Sequence, residues 1–190
     1  MQNVTTNNSP SLTDRMKNYE DVTRDYFTRR TPIIIRLDGC SFSTWTKNLD
    51  RPFDPRMSNI MQKTVKAVMP RIQGCVFAFS QSDEISLFLR DYDTLTTESW
   101  FGANRQKIVS VSASMITAHF NQEAAKMGLP PAYFDARAFI LPKEEVVNYF
   151  IYRQHDGLRN SVSMQAQSVL GHKACHGKKV PELKQSLIIS

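Results

Sequence analysis

Two short stretches set carboxylates where strands should end. Asp38-Gly39 closes the apolar run Ile33-Ile34-Ile35-Arg36-Leu37, and Asp83-Glu84 opens Ile85-Ser86-Leu87-Phe88-Leu89. Paired oxygen ligands suit Mg²⁺, which takes one or two carboxylates and fills its shell with water and substrate phosphates. Such a pair also calls for a cation, because two carboxylates at about 4 Å repel by roughly 4 kcal/mol at an effective dielectric near 20. Each motif alone is ordinary turn chemistry. It is the pairing that makes Asp38 and Asp83 candidate metal ligands and catalytic groups. Glu84 is a further catalytic candidate, although its side chain alternates away from that of Asp83.

The residues after Asp38 extend the site. Gly39-Cys40-Ser41-Phe42-Ser43 is a short turn opening on glycine, able to aim backbone N–H groups and hydroxyls at a phosphate. Lys47 and Arg51 follow as cations that could reach triphosphate oxygens. Other patterns carry less. Gly171 to Lys179 departs from a Walker loop in spacing and lacks Ser or Thr after Lys178. His172, Cys175 and His176 have no fourth zinc ligand at a usual spacing. His119 falls in a helical pattern, and Tyr149, Phe150, Ile151 and Tyr152 read as core residues rather than base-stacking ones.

The elements that must hold these groups follow from periodicity. Leu12, Met16, Tyr19 and Tyr26 predict a helix to about Phe27, broken at Thr31-Pro32. The β-branched run Ile33–Leu37 predicts a buried strand. Asp54-Pro55 supplies an N-cap and a first-turn proline for a helix closing at Pro70. Residues 74–80 and 84–90 predict a hairpin across Gln81-Ser82-Asp83. A long helix over about 104–127 stops at Gly128, and residues 134–141 form another strand. A helix opens near Pro142, and Gly157 is expected to separate it from a last helix ending near Leu170. The order β-α-β-β-α-β predicts an α+β, ferredoxin-like palm with its helices on one face of an antiparallel sheet. In that order the first strand lies beside the third, bringing Asp38 close to Asp83 and Glu84.

Composition agrees with a nucleotide or nucleic-acid partner. The net charge is +6, with pI ≈ 9.3, favouring anions. Three scattered cysteines argue against a disulfide framework and for a reducing compartment, with the cytoplasm as the expectation. No apolar run approaches the roughly 20 residues that span a bilayer, so no membrane role is expected. The organisation expected is a polar leader over residues 1–10, a catalytic palm over 11–142 and a helical extension over 143–190.

Five segments carry a resemblance: IIIRLDGCSF (33–42), RPFD (51–54), FSQSDEISL (79–87), YFDARAF (133–139) and LPKEEVVNYFIYRQHDGLRNSV (141–162). In type and order the chain resembles the tRNA-His guanylyltransferase family, especially its bacterial, archaeal and phage-like branch that repairs tRNA 5′ ends. The resemblance implies a polymerase-like palm and two Mg²⁺ ions held by Asp38, the Gly39 carbonyl and Asp83. It further implies nucleotide contacts from Asp38, Gly39, Cys40, Ser41, Phe42, Ser43, Ser82 and Asp83. The activity implied is addition of nucleotides to the tRNA 5′ end in the 3′-to-5′ direction. ATP or GTP first activates the 5′ phosphate, and GTP or a templated nucleoside triphosphate then supplies the added unit. A tetramer, or dimer of dimers, is implied as well.

Three departures shape these expectations. Arg51 stands where many relatives carry lysine, exchanging a point charge for a planar fork. Gly157-Leu158-Arg159-Asn160-Ser161 replaces the eukaryotic His-Ile-Asn-Asn element, favouring templated repair over strict guanylate addition. The chain ends at Ser190, short of the usual basic tail, so a non-catalytic RNA-binding palm is the alternative. A nucleotide cyclase on a similar palm is a third reading, against which the NYF-x-x-RQ stretch weighs.

Overall fold

The computed structural model describes residues 10–189, so the polar leader lies, but for Pro10, outside the described residues. The elements are α1 (Leu12–Val22), β1 (Ile33–Gly39), α2 (Phe42–Trp45), α3 (Pro55–Val68), β2 (Cys75–Gln81), β3 (Glu84–Leu89), α4 (Arg105–Lys126), β4 (Phe134–Ile140), α5 (Glu145–Leu170), α6 (His172–Cys175) and α7 (Val180–Ile189), with short 3₁₀ turns between some of them. No described helix is long and apolar enough to cross a membrane.

The sheet is antiparallel throughout, in the order β2-β3-β1-β4. β1 pairs with β3 from Ile33↔Leu89 to Leu37↔Ile85, and with β4 from Ile33↔Ile140 to Gly39↔Phe134. Because side chains alternate along a strand, Ile33, Ile35 and Leu37 share one face with Ile85, Leu87 and Leu89. That face meets Ile60, Met61 and Val68 of α3 and Ile108, Ile116 and Phe120 of α4 in the main core. The local signals behave as read. Asp54 caps α3 by accepting from the Arg56 N–H, and Asn104 caps α4 by accepting from Lys107. Gly128, at φ 67°, ends α4, and the Leu129 N–H returns to the Ala124 carbonyl.

Three expectations change. α1 stops at Val22 rather than Phe27. The Phe27 N–H is taken by the Ala103 carbonyl, and the Asp25 carbonyl by the Arg105 N–H, drawing residues 25–27 out straight beside the start of α4. The two crossover helices keep to one face of the sheet, as expected, and the C-terminal extension covers the other. α3 and α4 cover the first, while α5 covers the second, with its Tyr149 hydroxyl 3.0 Å from Ser86 Oγ and its Phe150 ring 4.7 Å from that of Phe77. β1 and β3 are thus covered on both sides, which is why Ile34 and Ser86 are fully buried. Gly157 does not divide α5, which runs unbroken from Glu145 to Leu170. Finally, Ile151 and Tyr152 are exposed, not core residues.

Past Leu170, Ala166 of α5 packs with Cys175 of α6 and Leu183 of α7 in a small second cluster. The spacing of Val180, Leu183 and Leu187 is the signal that announces α7. Cys175 sits inside this cluster while His172 and His176 are exposed, and no group of three or more potential ligands forms a metal cage among the described residues.

An aromatic knot ties the loop after β1 to the core. Phe42 stacks on Trp45 at 5.1 Å and meets Phe120 and Phe134 at 5.7 and 5.1 Å. Phe120 is wholly buried at its centre. Phe120→Ala is expected to cost about 3–5 kcal/mol of stability, read as a lowered urea midpoint against wild type.

Candidate functional site

Continuing the β1–β3 register past Leu37↔Ile85 sets Asp38 across from Glu84 and Gly39 across from Asp83. The strand ends thus bring together the carboxylates that the sequence separates by 45 positions. Asp38 and Asp83 are each half-buried. Burial pushes the Asp83 carboxyl up from its ordinary range; its own N–H and the Ser82 hydroxyl act in the opposite sense, while the negative charges of Asp38 and Glu84 push further up. Negative charge crowds this corner.

Glu84 is placed differently from Asp38 and Asp83. Arg153 of α5 grips it with a fork, Nε donating to Oε1 at 2.7 Å and Nη2 to Oε2 at 2.6 Å. Arg36 closes on the same Oε2 from β1. Arg153 is 3% exposed and continues to Asp156 at 3.1 Å, which in turn pairs with Arg159. Both oxygens of Glu84 are therefore committed to guanidinium groups, and the expectation of a free catalytic carboxylate there is corrected to a structural ion pair. Strand parity carried a clue. Arg36 and Asp38 share a face of β1, as Glu84 and Ser86 do of β3, so a cation beside Glu84 was legible in Arg36; Arg153, 69 positions away, was not.

The turns that present the two aspartates both hold a serine in the left-handed region, Ser41 at φ 56° and Ser82 at φ 49°. Non-glycine residues rarely adopt this conformation, and where they do the surroundings enforce it. Around Ser41 the enforcement is visible. The Cys40 N–H donates to the Tyr133 carbonyl at 2.8 Å, and Phe42 is anchored in the core. Asn121 of α4 clamps Ala132 by two hydrogen bonds, 3.0 and 2.8 Å, and Trp45 Nε1 donates to the Pro130 carbonyl. A Cβ on Gly39 would lie 2.1 Å from the Phe42 ring, so only glycine fits. The expected phosphate loop is accordingly narrower than it looked. Cys40 is exposed and its N–H is already used. The Phe42 and Ser43 N–H groups, in the first turn of α2, have no intrahelical acceptor.

Two adjoining hollows open beside Asp83, and Asp38 lines neither. The smaller, about 350 Å³, is lined by Ser43, Arg51, Ser82 and Asp83 among others. The larger, about 440 Å³, lies between the segment 46–58, Phe79, Gln81 and the α5 residues Gln154, Gly157, Leu158, Asn160, Ser161 and Met164. Thr46, Arg51, Met57, Ser82 and Met164 line both, making one continuous cleft. Asp54 pins its rim: buried, it accepts from the N–H groups of Asp50 and Arg56 and from the Arg56 guanidinium. That guanidinium, foremost, holds the Asp54 carboxyl well below the usual carboxylate range. Arg51 lines the cleft, whereas Lys47 is exposed and lines neither hollow. The α5 wall was not foreseen from the sequence.

The donor set fits Mg²⁺. Two carboxylates and the Gly39 backbone meet at adjacent strand ends, with crowded negative charge for a cation to relieve. Magnesium leaves its remaining positions to water and phosphate rather than to a full protein cage. The Glu84 pairing is testable apart from any chemistry. Arg153→Met leaves a buried carboxylate short of its main partner and is expected to cost about 3–5 kcal/mol, whereas Arg153→Met with Glu84→Gln recovers most of the loss in thermal or urea unfolding.

Comparison with known proteins bears on the same segments. Residues 13–142 match the family model described as tRNAHis guanylyltransferase. A probable tRNA(His) guanylyltransferase of Drosophila melanogaster is 31% identical over 131 residues, covering 65% of this chain and 44% of that protein. The chain thus spans less than half of that relative's length. Among solved structures, a bacterial tRNA(His) guanylyltransferase-like protein in complex with ATP superposes with a TM-score of 0.91 at 45% identity, over 94% of this chain and 79% of that one. One in complex with GTP gives 0.81 at 48% identity, over 83% and 76%. The matched segment runs from the first helix through the fourth strand and holds both carboxylates and the loops that present them: the chain belongs to the tRNAHis guanylyltransferase family.

Proposed function

We propose that the chain is a nucleotidyltransferase that extends the 5′ end of tRNA in the 3′-to-5′ direction. The observation that carries this reading is the placement of Asp38 and Asp83 at neighbouring strand ends, close enough for one charge to act on the other, with Asp83 lining a cleft shared with Ser43, Ser82 and Arg51. The bacterial relatives in complex with ATP and with GTP support nucleoside triphosphates as the ligands. Asp38, the Gly39 carbonyl and Asp83 hold two Mg²⁺ ions, which when bound lower the pKa of an attacking hydroxyl and stabilise charge on leaving phosphates. Arg51 and the hydroxyls of Ser43 and Ser82 bind the triphosphate, and the free N–H groups of the α2 first turn add donors. Glu84 acts through Arg36 and Arg153, fixing the start of β3 and with it the aim of Asp83.

In this reading the tRNA 5′-monophosphate attacks the α-phosphorus of ATP or GTP and releases pyrophosphate, and the 3′-hydroxyl of the incoming nucleotide then attacks the tRNA 5′ phosphorus and displaces AMP or GMP. Asp38 and Asp83 keep both reacting ends in one place, which is the main service a phosphoryl-transfer site provides. Templated repair is favoured over strict guanylate addition because Gly157, Leu158, Asn160 and Ser161 line the cleft in the stretch where the eukaryotic branch carries His-Ile-Asn-Asn. Cytoplasmic action suits the three free cysteines, Cys40, Cys75 and Cys175.

We also place the chain in a homo-oligomer, a tetramer or dimer of dimers. Leu12, Met16 and Tyr19 form an exposed stripe on α1, of which no residue is buried. Uncovered apolar stripes of this kind mark contact surfaces.

Incubated with Mg²⁺, labelled nucleotides and tRNAs lacking one 5′ nucleotide, the wild type is expected to incorporate label according to the opposing base. Asp38→Ala and Asp83→Ala should each lower the rate by at least about 10²-fold, since each lost ligand removes several kcal/mol of transition-state stabilisation. Wild-type turnover by either variant defeats the assignment. Salt-sensitive tRNA binding with no incorporation would instead favour the non-catalytic palm. Light scattering should return about four times the chain mass of 21.8 kDa, falling on combined Leu12→Ser and Met16→Ser.

A further inference from the structure

The geometry points to Gln81 as the residue that lets one cleft accept both 6-amino and 6-oxo purine nucleotides; this rests on the nucleotide-binding reading above. Gln81 ends β2 and lines the larger hollow beside Phe79 and Gly157. Its Oε1 is buried with no hydrogen-bond partner, and no described residue bonds its Nε2. An orphaned buried amide oxygen is uncommon and calls for an explanation. Here the explanation cannot be lack of room. Oε1 lies 1.8 Å from where a Cβ on Gly157 would stand, with Nε2 further off at 3.4 Å. The amide head occupies space that α5 leaves open only because position 157 is glycine.

A primary amide offers an acceptor and two donors on one flat group. Since no protein group fixes either end, a half turn about its last torsion exchanges oxygen and nitrogen without breaking a protein hydrogen bond. With the triphosphate at Ser43, Arg51, Ser82 and Asp83, the base falls in the larger hollow among Leu49, Phe53, Phe79 and Met164. In one orientation Gln81 accepts from an adenine 6-amino group, and in the other it donates to a guanine 6-oxo group. An amide held by a protein partner would serve only one of them. Freedom at this side chain is what dual recognition requires.

The test compares dissociation constants for ATP, ITP and purine riboside triphosphate, which has no 6-substituent, on the intact protein by equilibrium titration. Wild type should bind ATP and ITP alike, each about three- to tenfold tighter than the unsubstituted analogue, the worth of one net hydrogen bond. Gln81→Met should bring all three within about twofold of one another. Gly157→Ala should do the same by pushing the amide aside, while its melting temperature holds or rises because alanine suits a helix interior better than glycine. Equal affinity of wild type for all three, or discrimination that survives Gln81→Met, overturns the inference and leaves the nucleotide-binding reading standing. Failure of wild type to bind any of the three overturns both.

Discussion

The site depends on keeping two like charges side by side. Asp38 and Asp83 gain nothing from each other; their proximity is imposed by the antiparallel register of β1 on β3, which leaves no choice once Leu37 faces Ile85. That register is secured on both faces. Ile35, Leu37, Ile85 and Leu87 are sunk in the core beneath, and Glu84, Arg36 and Arg153 lock together on the other side. The ion cluster also settles which carboxylates stay available. By absorbing Glu84 into guanidinium contacts, it leaves Asp38 and Asp83 without that competition.

Much of this was legible. The strands showed in β-branched runs, and the apolar stretch of β1 announced a buried strand. Asp54-Pro55 and Gly128 gave the ends of α3 and α4 because capping is local chemistry. From the element order came the neighbour relation of β1 and β3, and so the meeting of the carboxylates. What escaped depended on tertiary neighbours. A glycine within a helical pattern can end the helix or admit a close approach, and only the presence of Gln81 opposite Gly157 decides between them. Glu84 looked free because Arg153 lies a whole sheet and helix further along the chain. Cys40 looked like a phosphate donor because nothing local reveals that Tyr133 takes its N–H. Ile151 and Tyr152 read as core because periodicity reports an apolar face without saying what covers it.

The loop after β1 illustrates how a strained turn is kept in place. Ser41 holds a conformation that costs energy for a side chain, and its neighbours are fixed by contacts from distant elements: the Phe42 ring among Trp45, Phe120 and Phe134, and the Cys40 N–H on the residue before β4. Asn121 of α4 braces the same corner through Ala132. Rigidity there comes from α4 and β4, not from the loop itself, so the loop's geometry is set before any ligand arrives.

The family-matched segment ends at residue 142, yet α5, which begins at Glu145, forms one side of the cleft. The acidic corner and the wall opposite it thus lie on separable stretches of chain, joined by the Arg153–Glu84 fork, the Tyr149–Ser86 hydrogen bond and the Phe150–Phe77 ring contact. Substitutions between Gln154 and Met164 can therefore reshape the hollow while the two aspartates stay in place.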